Sequence, residues 1–159
     1  IESLLNMLGR IKDMPFRIVI AGTGDTDYVD RLKKKFGYLK AEWIGFVDSS
    51  VFFSNIHFTV VPSLWEEPFG RIIIESYSFG KPVIGAARGG ITELIDDAKT
   101  GYLYEPDDFD TFKTVLEKAY NSLPELEYMR EKCREKAKYY RSEEIALQLY
   151  RCLFGQKAL

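Results

Sequence analysis

An α/β fold with a parallel sheet is predicted for this 159-residue chain by three observations. Short apolar runs recur along the sequence, and segments with apolar residues at helical spacing separate them. The first of these runs, Phe16–Ala21, is almost continuously apolar, which is typical of a parallel strand covered on both faces. Glycines such as Gly22 and Gly89 follow apolar runs and allow tight turns into the next helix. These features predict a three-layer α/β domain.

Five segments are predicted as strands of this sheet. They are Phe16–Ala21, Ala41–Ile44, His57–Val61, Pro82–Gly85 and Gly101–Tyr104. The turn Gly22-Thr23-Gly24 either connects a strand to a helix or also borders a ligand pocket. It is not a dinucleotide-binding fingerprint, because Asp27 occupies the position of the third glycine. His57 lies at the start of a strand, away from the carboxyl ends where ligands bind, which favours a structural role.

The helices are predicted from apolar periodicity and from residues that cap helix ends. The first helix carries Ile1, Leu4, Leu5, Leu8 and Ile11 on one face and ends before Pro15. The predicted starts of the later helices are Asp25, Asp48 or Ser49, a residue near Gly70, Asp107 or Asp108, Pro124, and Ser142. The predicted inward residues are Val29, Leu32, Phe36, Phe109, Phe112, Leu116, Ala119, Leu126, Met129 and Cys133. We expect the apolar stripes of these helices, including the last one over Ile145 to Phe154, to form core.

Composition excludes several classes of protein. With a net charge of −2 and 46% hydrophobic residues, the chain is typical of a globular domain and does not indicate a nucleic-acid partner. The basic run Lys33–Lys35 is interpreted as a solvated helix face. No apolar run approaches the roughly 18–20 residues that span a bilayer. Cys133 and Cys152 have no neighbouring metal ligands, so they are interpreted as reduced thiols of a cytoplasmic protein.

The residues best suited to chemistry lie between Val60 and Ile95. This stretch combines a strand ending at Pro62, a loop that contains Glu67, and a helix that begins near Gly70. Free backbone N–H groups at such a helix start attract phosphate, and ligands of open parallel sheets bind beyond the carboxyl ends of the strands. Seven residues separate Glu67 from Glu75, so both carboxylates can face one pocket.

Four short motifs follow one another in this stretch. They are Pro62-Ser63, the pair Glu67 and Glu75 around Phe69-Gly70, Gly80-Lys81-Pro82-Val83, and Gly89-Gly90-Ile91-Thr92-Glu93-Leu94-Ile95. Their order and spacing closely resemble the nucleotide-sugar-binding core of the family 4 glycosyltransferases of GT-B fold. The resemblance implies a Rossmann-like domain over residues 1–159, the C-terminal half of a retaining enzyme. That enzyme would transfer a sugar from a nucleoside diphosphate to a glycan, lipid or small-molecule acceptor.

The resemblance also implies roles for individual side chains. The donor-binding residues would be Val47, Phe69, Gly70, Arg71, Ile72 and Glu75. Within this set, Glu75 would bind the ribose hydroxyls through charge-assisted hydrogen bonds, and the helix start at Gly70 would meet the diphosphate or the sugar. Glu67 would be the catalytic residue, binding the sugar hydroxyls or stabilising positive charge at the anomeric carbon. The family needs no bound metal or cofactor, since the nucleotide sugar is itself a substrate.

Part of the expected enzyme lies outside this sequence. The chain begins at Ile1 within a helical pattern that has no cap, so we expect a fragment. The resemblance implies that a first strand, the cationic residues for the diphosphate and an N-terminal acceptor domain precede it, and any membrane association would come through that domain. The last helix resembles the C-terminal helix of the GT-B fold, which crosses back to the other domain. The missing strand belongs between Phe16–Ala21 and His57–Val61. We therefore expect a gap there, a substitute strand, or direct pairing of the two.

Other functions fit the residues less well. Paired carboxylates also suggest a glycosidase, but hydrolysis does not require a helix start that attracts phosphate. A nicotinamide-dependent oxidoreductase is disfavoured by the broken glycine fingerprint, and a signalling receiver domain would need acidic residues at the strand ends. A non-catalytic GT-B relative that binds partners stays open as an alternative. Trp65, beside Glu67, either stacks on a sugar or covers the loop.

Overall fold

The computed structural model describes residues 1–12 and 15–155, in which strands and helices alternate as predicted. The strands are β1 (Val19–Ala21), β2 (Glu42–Gly45), β3 (Thr59–Val61), β4 (Val83–Ala86) and β5 (Gly101–Tyr104). The α-helices are α1 (Glu2–Leu8), α2 (Thr26–Lys35), α3 (Ser49–Ser54), α4 (Arg71–Ser78), α5 (Ile91–Leu94), α6 (Phe109–Asn121), α7 (Leu126–Lys138) and α8 (Ser142–Phe154). Short 3-10 turns, Gly37–Leu39 and Leu123–Glu125, precede β2 and α7.

All strand pairings within the described residues are parallel, which confirms the α/β fold class. β1 pairs with β2, with Val19 beside Glu42. β3, β4 and β5 form a second sheet in that order. Within the described ranges no strand pairing joins β1 to β3. Of the three expected outcomes at this place, the structure therefore has the gap.

The prediction that Phe16–Ala21 is a strand covered on both faces is wrong. The strand begins only at Val19, while Phe16 and Ala21 are exposed and the residues between Phe16 and Ala21 are at best half-buried. The physical reason is the gap. Among the described residues β1 has a neighbouring strand on the β2 side alone, so its other edge lacks the packing that would bury it.

Two apolar cores lie on opposite faces of the strands, as a three-layer domain requires. One core joins α1, α2 and α6 to β4 and β5, with Leu5 and Phe112 fully buried. The other joins α4, α5 and α7 to β3 and β4, with Ile73 and Tyr77 fully buried. The second core fixes the position of α4 relative to the strand ends, and the candidate site is built around that helix.

The helix caps agree with the prediction at three of the expected starts. Asp25 and Asp48 each accept a backbone N–H at 2.8 Å, and Asp108 accepts two at the start of α6. Asp48 and Asp108 are therefore the caps where two residues had been left open. The predicted start at Ser142 is confirmed, since α8 begins at this residue, and Arg141 before it provides no side-chain cap.

Helix α8 contradicts the expectation that every apolar stripe forms core. None of its described residues is buried, and Ile145, Leu149 and Leu153 are exposed along it. No element in the described part of the chain covers that stripe. Among the described helices, none combines the length and the apolar character needed to cross a membrane.

Candidate functional site

The loop that connects β3 to α4 is held against the turn that follows β4. The backbone carbonyl of Glu67 accepts a hydrogen bond of 2.7 Å from the N–H of Gly90. A Cβ atom at Gly89 would lie 2.5 Å from that carbonyl oxygen, and one at Gly90 would lie 2.9 Å from the carbonyl oxygen of Pro68. Only glycines permit this approach, so the Gly-Gly motif holds the loop in place.

The carboxylate of Glu67 has few partners within the protein. It is half-buried, and its one side-chain hydrogen bond, from the Ser63 hydroxyl, is long at 3.5 Å. An ionised carboxylate can accept about four hydrogen bonds, so most of its capacity is available to a ligand. The neighbouring Glu66 points elsewhere and forms a loose ion pair with Arg88 at 3.8 Å.

Gly70 occupies the cap position of helix α4, and its backbone conformation is one that favours glycine. Gly70 has φ 76° and ψ 53°, a left-handed conformation that other residues adopt at a cost. Gly70 is buried beneath Ile73 and Leu94, so its missing side chain serves packing and conformation rather than the approach of a ligand. Within the described chain the backbone N–H groups of Arg71 and Ile72 donate no hydrogen bond. They remain available to an anion.

Glu75 connects α4 to the start of α3. Its half-buried carboxylate accepts a hydrogen bond from the Ser49 hydroxyl. Ser49 is free for this contact because Asp48 caps α3. The hydroxyl and backbone N–H of Ser50 bind Asp48 and lower the pKa of its carboxyl group. The half-buried Val47 directly precedes this cap, so the segment after β2 and the second turn of α4 meet at Glu75.

A cavity of about 540 Å³ opens on the other side of α4, toward α7. Its lining is Phe69, Arg71, Ile74, Glu75, Ser78, Arg134, Ala137, Lys138, Tyr140 and Arg141. Phe69 is 43% exposed and packs edge to face against Tyr140, with ring centroids 5.7 Å apart. Of the predicted site residues, the cavity therefore brings together Phe69, Arg71 and Glu75. Glu67, Val47, Gly70 and Ile72 lie outside its lining.

The comparison with known proteins agrees with the motifs. The family description "Glycosyl transferases group 1" matches residues 1–139. The chain belongs to this family.

It is similar to sulfoquinovosyl transferase SQD2 of Arabidopsis thaliana, with 29% identity over 88% of this chain. Sucrose-phosphate synthase from Thermosynechococcus elongatus superposes over 96% of it, with TM-score 0.79 and 26% identity. HepE of Anabaena, in complex with UDP-glucose, covers 95% of it with TM-score 0.77 and 22% identity, which is a likeness of fold.

This glycosyltransferase-family chain is much shorter than its relatives. The aligned part is 28% of the plant sulfoquinovosyl transferase and 42% of the sucrose-phosphate synthase chain. The resemblance to the GT-B donor-binding half, drawn from the four motifs, is confirmed by the family match.

Sequence reasoning missed three contacts of this family member. Ser49 was assigned only as an alternative cap, although its hydroxyl binds Glu75. The sequence shows the Gly-Gly turn as a motif, but it does not show that the N–H of Gly90 binds the backbone carbonyl of Glu67. The sequence identifies Lys81 only as part of a motif, yet it is buried and its ammonium group donates to the carbonyl of Ile56 at 2.9 Å, which fixes the loop before β3. Burial lowers the pKa of Lys81.

Metal ligands are not gathered in this glycosyltransferase domain. In residues 1–12 and 15–155 no three His, Cys, Asp or Glu side chains come close enough to hold an ion together. His57 is exposed at the bend before β3. Cys133 is buried and Cys152 is exposed, and within the described ranges neither forms a disulfide.

Proposed function

We propose that this chain is the donor-binding half of a retaining glycosyltransferase that uses a nucleoside-diphosphate sugar. The observation that carries the proposal is the arrangement around α4. The helix offers free N–H groups at its start, Glu75 one turn later, and Glu67 on a loop held in place by Gly90. Glu75, the helix start and Glu67 are, in that order, the groups that the ribose, the diphosphate and the sugar of a nucleotide sugar need.

Glu75 binds the ribose in this proposal. A carboxylate accepts hydrogen bonds from two neighbouring hydroxyls at once, and a charged acceptor makes stronger bonds than a neutral one. Ser49 holds the carboxylate from the α3 side, which reduces the freedom it would lose on binding. The backbone of Val47, which directly precedes the Asp48 cap, contacts the base in this proposal.

Glu67 acts on the sugar in this proposal. Positive charge grows at the anomeric carbon as the diphosphate leaves, and a nearby carboxylate stabilises it without changing its protonation. The hydrogen bond from Gly90 fixes the backbone of Glu67, so the carboxylate is held before the substrate arrives. The free N–H groups of Arg71 and Ile72 stabilise the negative charge on the departing diphosphate.

The acceptor would be bound by an N-terminal half that pairs with this one. Two observations support a second half: the unpaired edges of β1 and β3, and the exposed apolar stripe of α8. Uncovered apolar surface of this kind is unusual for a finished monomer and is typical of an interface. We propose a cytoplasmic enzyme of glycan synthesis that transfers sugar only when both halves are present.

Calorimetric titration of this chain with UDP tests the proposal. Without the cationic clamp, which the resemblance puts just before the first helix, we expect a Kd of about 1 mM, or roughly −4 kcal/mol. Glu75→Gln should weaken UDP binding by about tenfold or more, since it removes charge-assisted hydrogen bonds. Glu131→Gln is the matched control, because Glu131 is exposed on α7 and far from the site in sequence.

Two outcomes would overturn this assignment. One is the absence of UDP binding in a correctly folded chain, and the other is equal binding by the Glu75→Gln and Glu131→Gln variants. Chelation by EDTA should leave the affinity unchanged, because no metal takes part in the proposal. Sugar transfer by this chain alone would show that the acceptor site does not lie elsewhere.

A further inference from the structure

The cavity between α4 and α7 is strongly basic in a chain whose net charge is −2. Four cationic side chains line it: Arg71, Arg134, Lys138 and Arg141. The only carboxylate in the lining is Glu75, which Ser49 already binds. Positive charge is therefore concentrated around one space of about 540 Å³ instead of being spread over the surface.

Three of these four cations have no acidic partner within ion-pair distance in the described residues. Arg134 pairs with Glu127 at 3.4 Å, but within the described residues Arg71, Lys138 and Arg141 form no ion pair. Arg134, Lys138 and Arg141 follow one another at spacings of four and three, which places them on one side of α7 and the turn after it. Like charges at this spacing destabilise a helix, so helix stability does not account for the pattern.

The dipole of α7 explains only part of the arrangement. A cation in the last turn, such as Lys138, is favoured by the negative end of the helix. Arg71 lies on the opposite wall, in the first turn of α4, where the dipole disfavours a cation. The convergence of cations from both walls on one cavity points to an anionic ligand.

We propose that this cavity binds a phosphomonoester. Guanidinium groups match phosphate oxygens through paired hydrogen bonds, and a monoester carries nearly two negative charges to match the unpaired cations. The cavity is large enough for the phosphate and a small organic group, which the rings of Phe69 and Tyr140 would cover. Either a soluble phosphorylated metabolite or the headgroup of an anionic lipid would present this chemistry.

The cavity shares Phe69, Arg71 and Glu75 with the proposed donor site, but only the cavity includes residues of α7 and of the turn after it. The hydrogen bond from Ser49 comes to Glu75 from α3, whereas Lys138 and Arg141 approach from α7. Neither Lys138 nor Arg141 has a part in the proposed donor site. This inference therefore does not depend on the proposed function, and the two can fail separately.

Titration with glycerol 3-phosphate tests the inference on this chain. The double substitution Lys138→Gln with Arg141→Gln should weaken binding by about tenfold or more, because it removes two charged hydrogen-bond donors. Both side chains are exposed, so the fold should be unchanged, as circular dichroism and thermal melting can verify. Lys118→Gln is the matched control, since Lys118 is an exposed cation in the last turn of α6. UDP binding should be the same in all three proteins.

A second arm separates the two sources of the phosphate. Co-sedimentation with vesicles of phosphatidylcholine containing phosphatidic acid, or phosphatidylglycerol as a phosphodiester control, reports on a lipid headgroup. Binding of glycerol 3-phosphate that the double substitution weakens supports a soluble ligand. Binding to phosphatidic acid vesicles alone, also weakened, supports a lipid. If neither probe binds, or if the double variant and Lys118→Gln behave alike, the inference is overturned.

Discussion

The N–H of Gly90 donates a hydrogen bond of 2.7 Å to the backbone carbonyl of Glu67. This bond joins two sequence motifs that are more than twenty residues apart and fixes the loop that carries the proposed catalytic carboxylate. In the described part of the chain, the side chain of Glu67 accepts only a long hydrogen bond of 3.5 Å, from Ser63. The orientation of the loop therefore depends on the turn after β4 rather than on the side chain of Glu67.

Replacement of Gly90 by alanine should displace this loop. The new methyl group would lie 2.9 Å from the carbonyl oxygen of Pro68, so either the loop or the turn must move. We expect a loss of about 1–3 kcal/mol in the free energy of unfolding, measured by urea denaturation. Gly37→Ala is the control, because no atom lies within 4 Å of a Cβ placed there. Equal stability of the two variants would show that the loop adapts without cost.

Removal of the hydroxyl that holds Glu75 should weaken donor binding moderately. In Ser49→Ala the Glu75 carboxylate loses the hydrogen bond from the Ser49 hydroxyl and becomes more mobile in the free protein. Ribose binding then has to restrict this additional side-chain motion, which costs conformational entropy. The affinity for UDP should fall by about threefold to tenfold, less than in Glu75→Gln. Ser54→Ala is a suitable comparison, since the Ser54 hydroxyl bonds to Val51 in its own helix and to the neighbouring Asn55, and not to Glu75. A Ser49→Ala variant with unchanged affinity would contradict a role for this contact.

The two glutamates should differ in a protein that contains both halves. Glu75 is assigned to the ribose, which does not change during transfer, so Glu75→Gln should mainly raise the donor KM. The expected increase corresponds to a loss of about 1.5–3 kcal/mol in the free energy of donor binding. Glu67 is assigned beside the reacting carbon, so Glu67→Gln should lower kcat more than it raises KM. Steady-state kinetics on the two variants provide the measurement. If both only weaken donor binding, Glu67 has no special part in the chemistry.

Stability should decline at alkaline pH partly because of Cys133. Burial raises the pKa of this thiol from 9.0 to about 12. The folded state thus keeps a proton that the unfolded state releases. The stabilisation is complete below pH 9 and is lost as the pH rises toward 12, by up to about 1.4 kcal/mol per pH unit.

Urea denaturation between about pH 9 and pH 11 measures this dependence. A Cys152→Ser variant, which keeps Cys133, should lose stability more steeply than a variant that also carries Cys133→Ala. Tyr77 is buried as well and burial raises its pKa, so a weaker decline should remain in the double variant. Identical slopes would show that the Cys133 thiol ionises as easily in the folded protein as in the unfolded chain.

The exposed stripe of α8 should contribute little to the stability of this chain by itself. Leu153 is 65% exposed, so Leu153→Glu should change the free energy of unfolding by less than about 0.5 kcal/mol. Leu32→Glu, which would bury a charge in the core against α1, should cost several times more and is the positive control. A large loss of stability would mean that the stripe is packed in solution.

Much of the local structure could be predicted from the sequence. The strand Gly101–Tyr104 has the predicted bounds, and Asp25 caps its helix as expected. Such features depend on periodicity and capping within a few residues, so local physical chemistry is enough to identify them. The four motifs were also visible at this level, and they identified the family.

The contacts between motifs required the folded chain. Ser49 and Glu75 are twenty-six residues apart, and nothing local distinguishes a serine that binds a distant carboxylate from one that caps its own helix. The cations around the cavity come from α4 and from the end of α7, which are far apart in sequence. Burial also depends on neighbours. Phe16–Ala21 is apolar like a covered strand, yet the gap beside β1 leaves it half-exposed.

The sequence by itself determined the alternation of strands and helices, the caps and the residue types of the candidate site, because these follow from short-range chemistry along the chain. Only the tertiary structure decided that Gly90 supports Glu67, that α8 has no covering element in the described residues, and that four cations share one cavity. These outcomes depend on which surfaces meet, and that depends on the packing of the whole domain around its two cores.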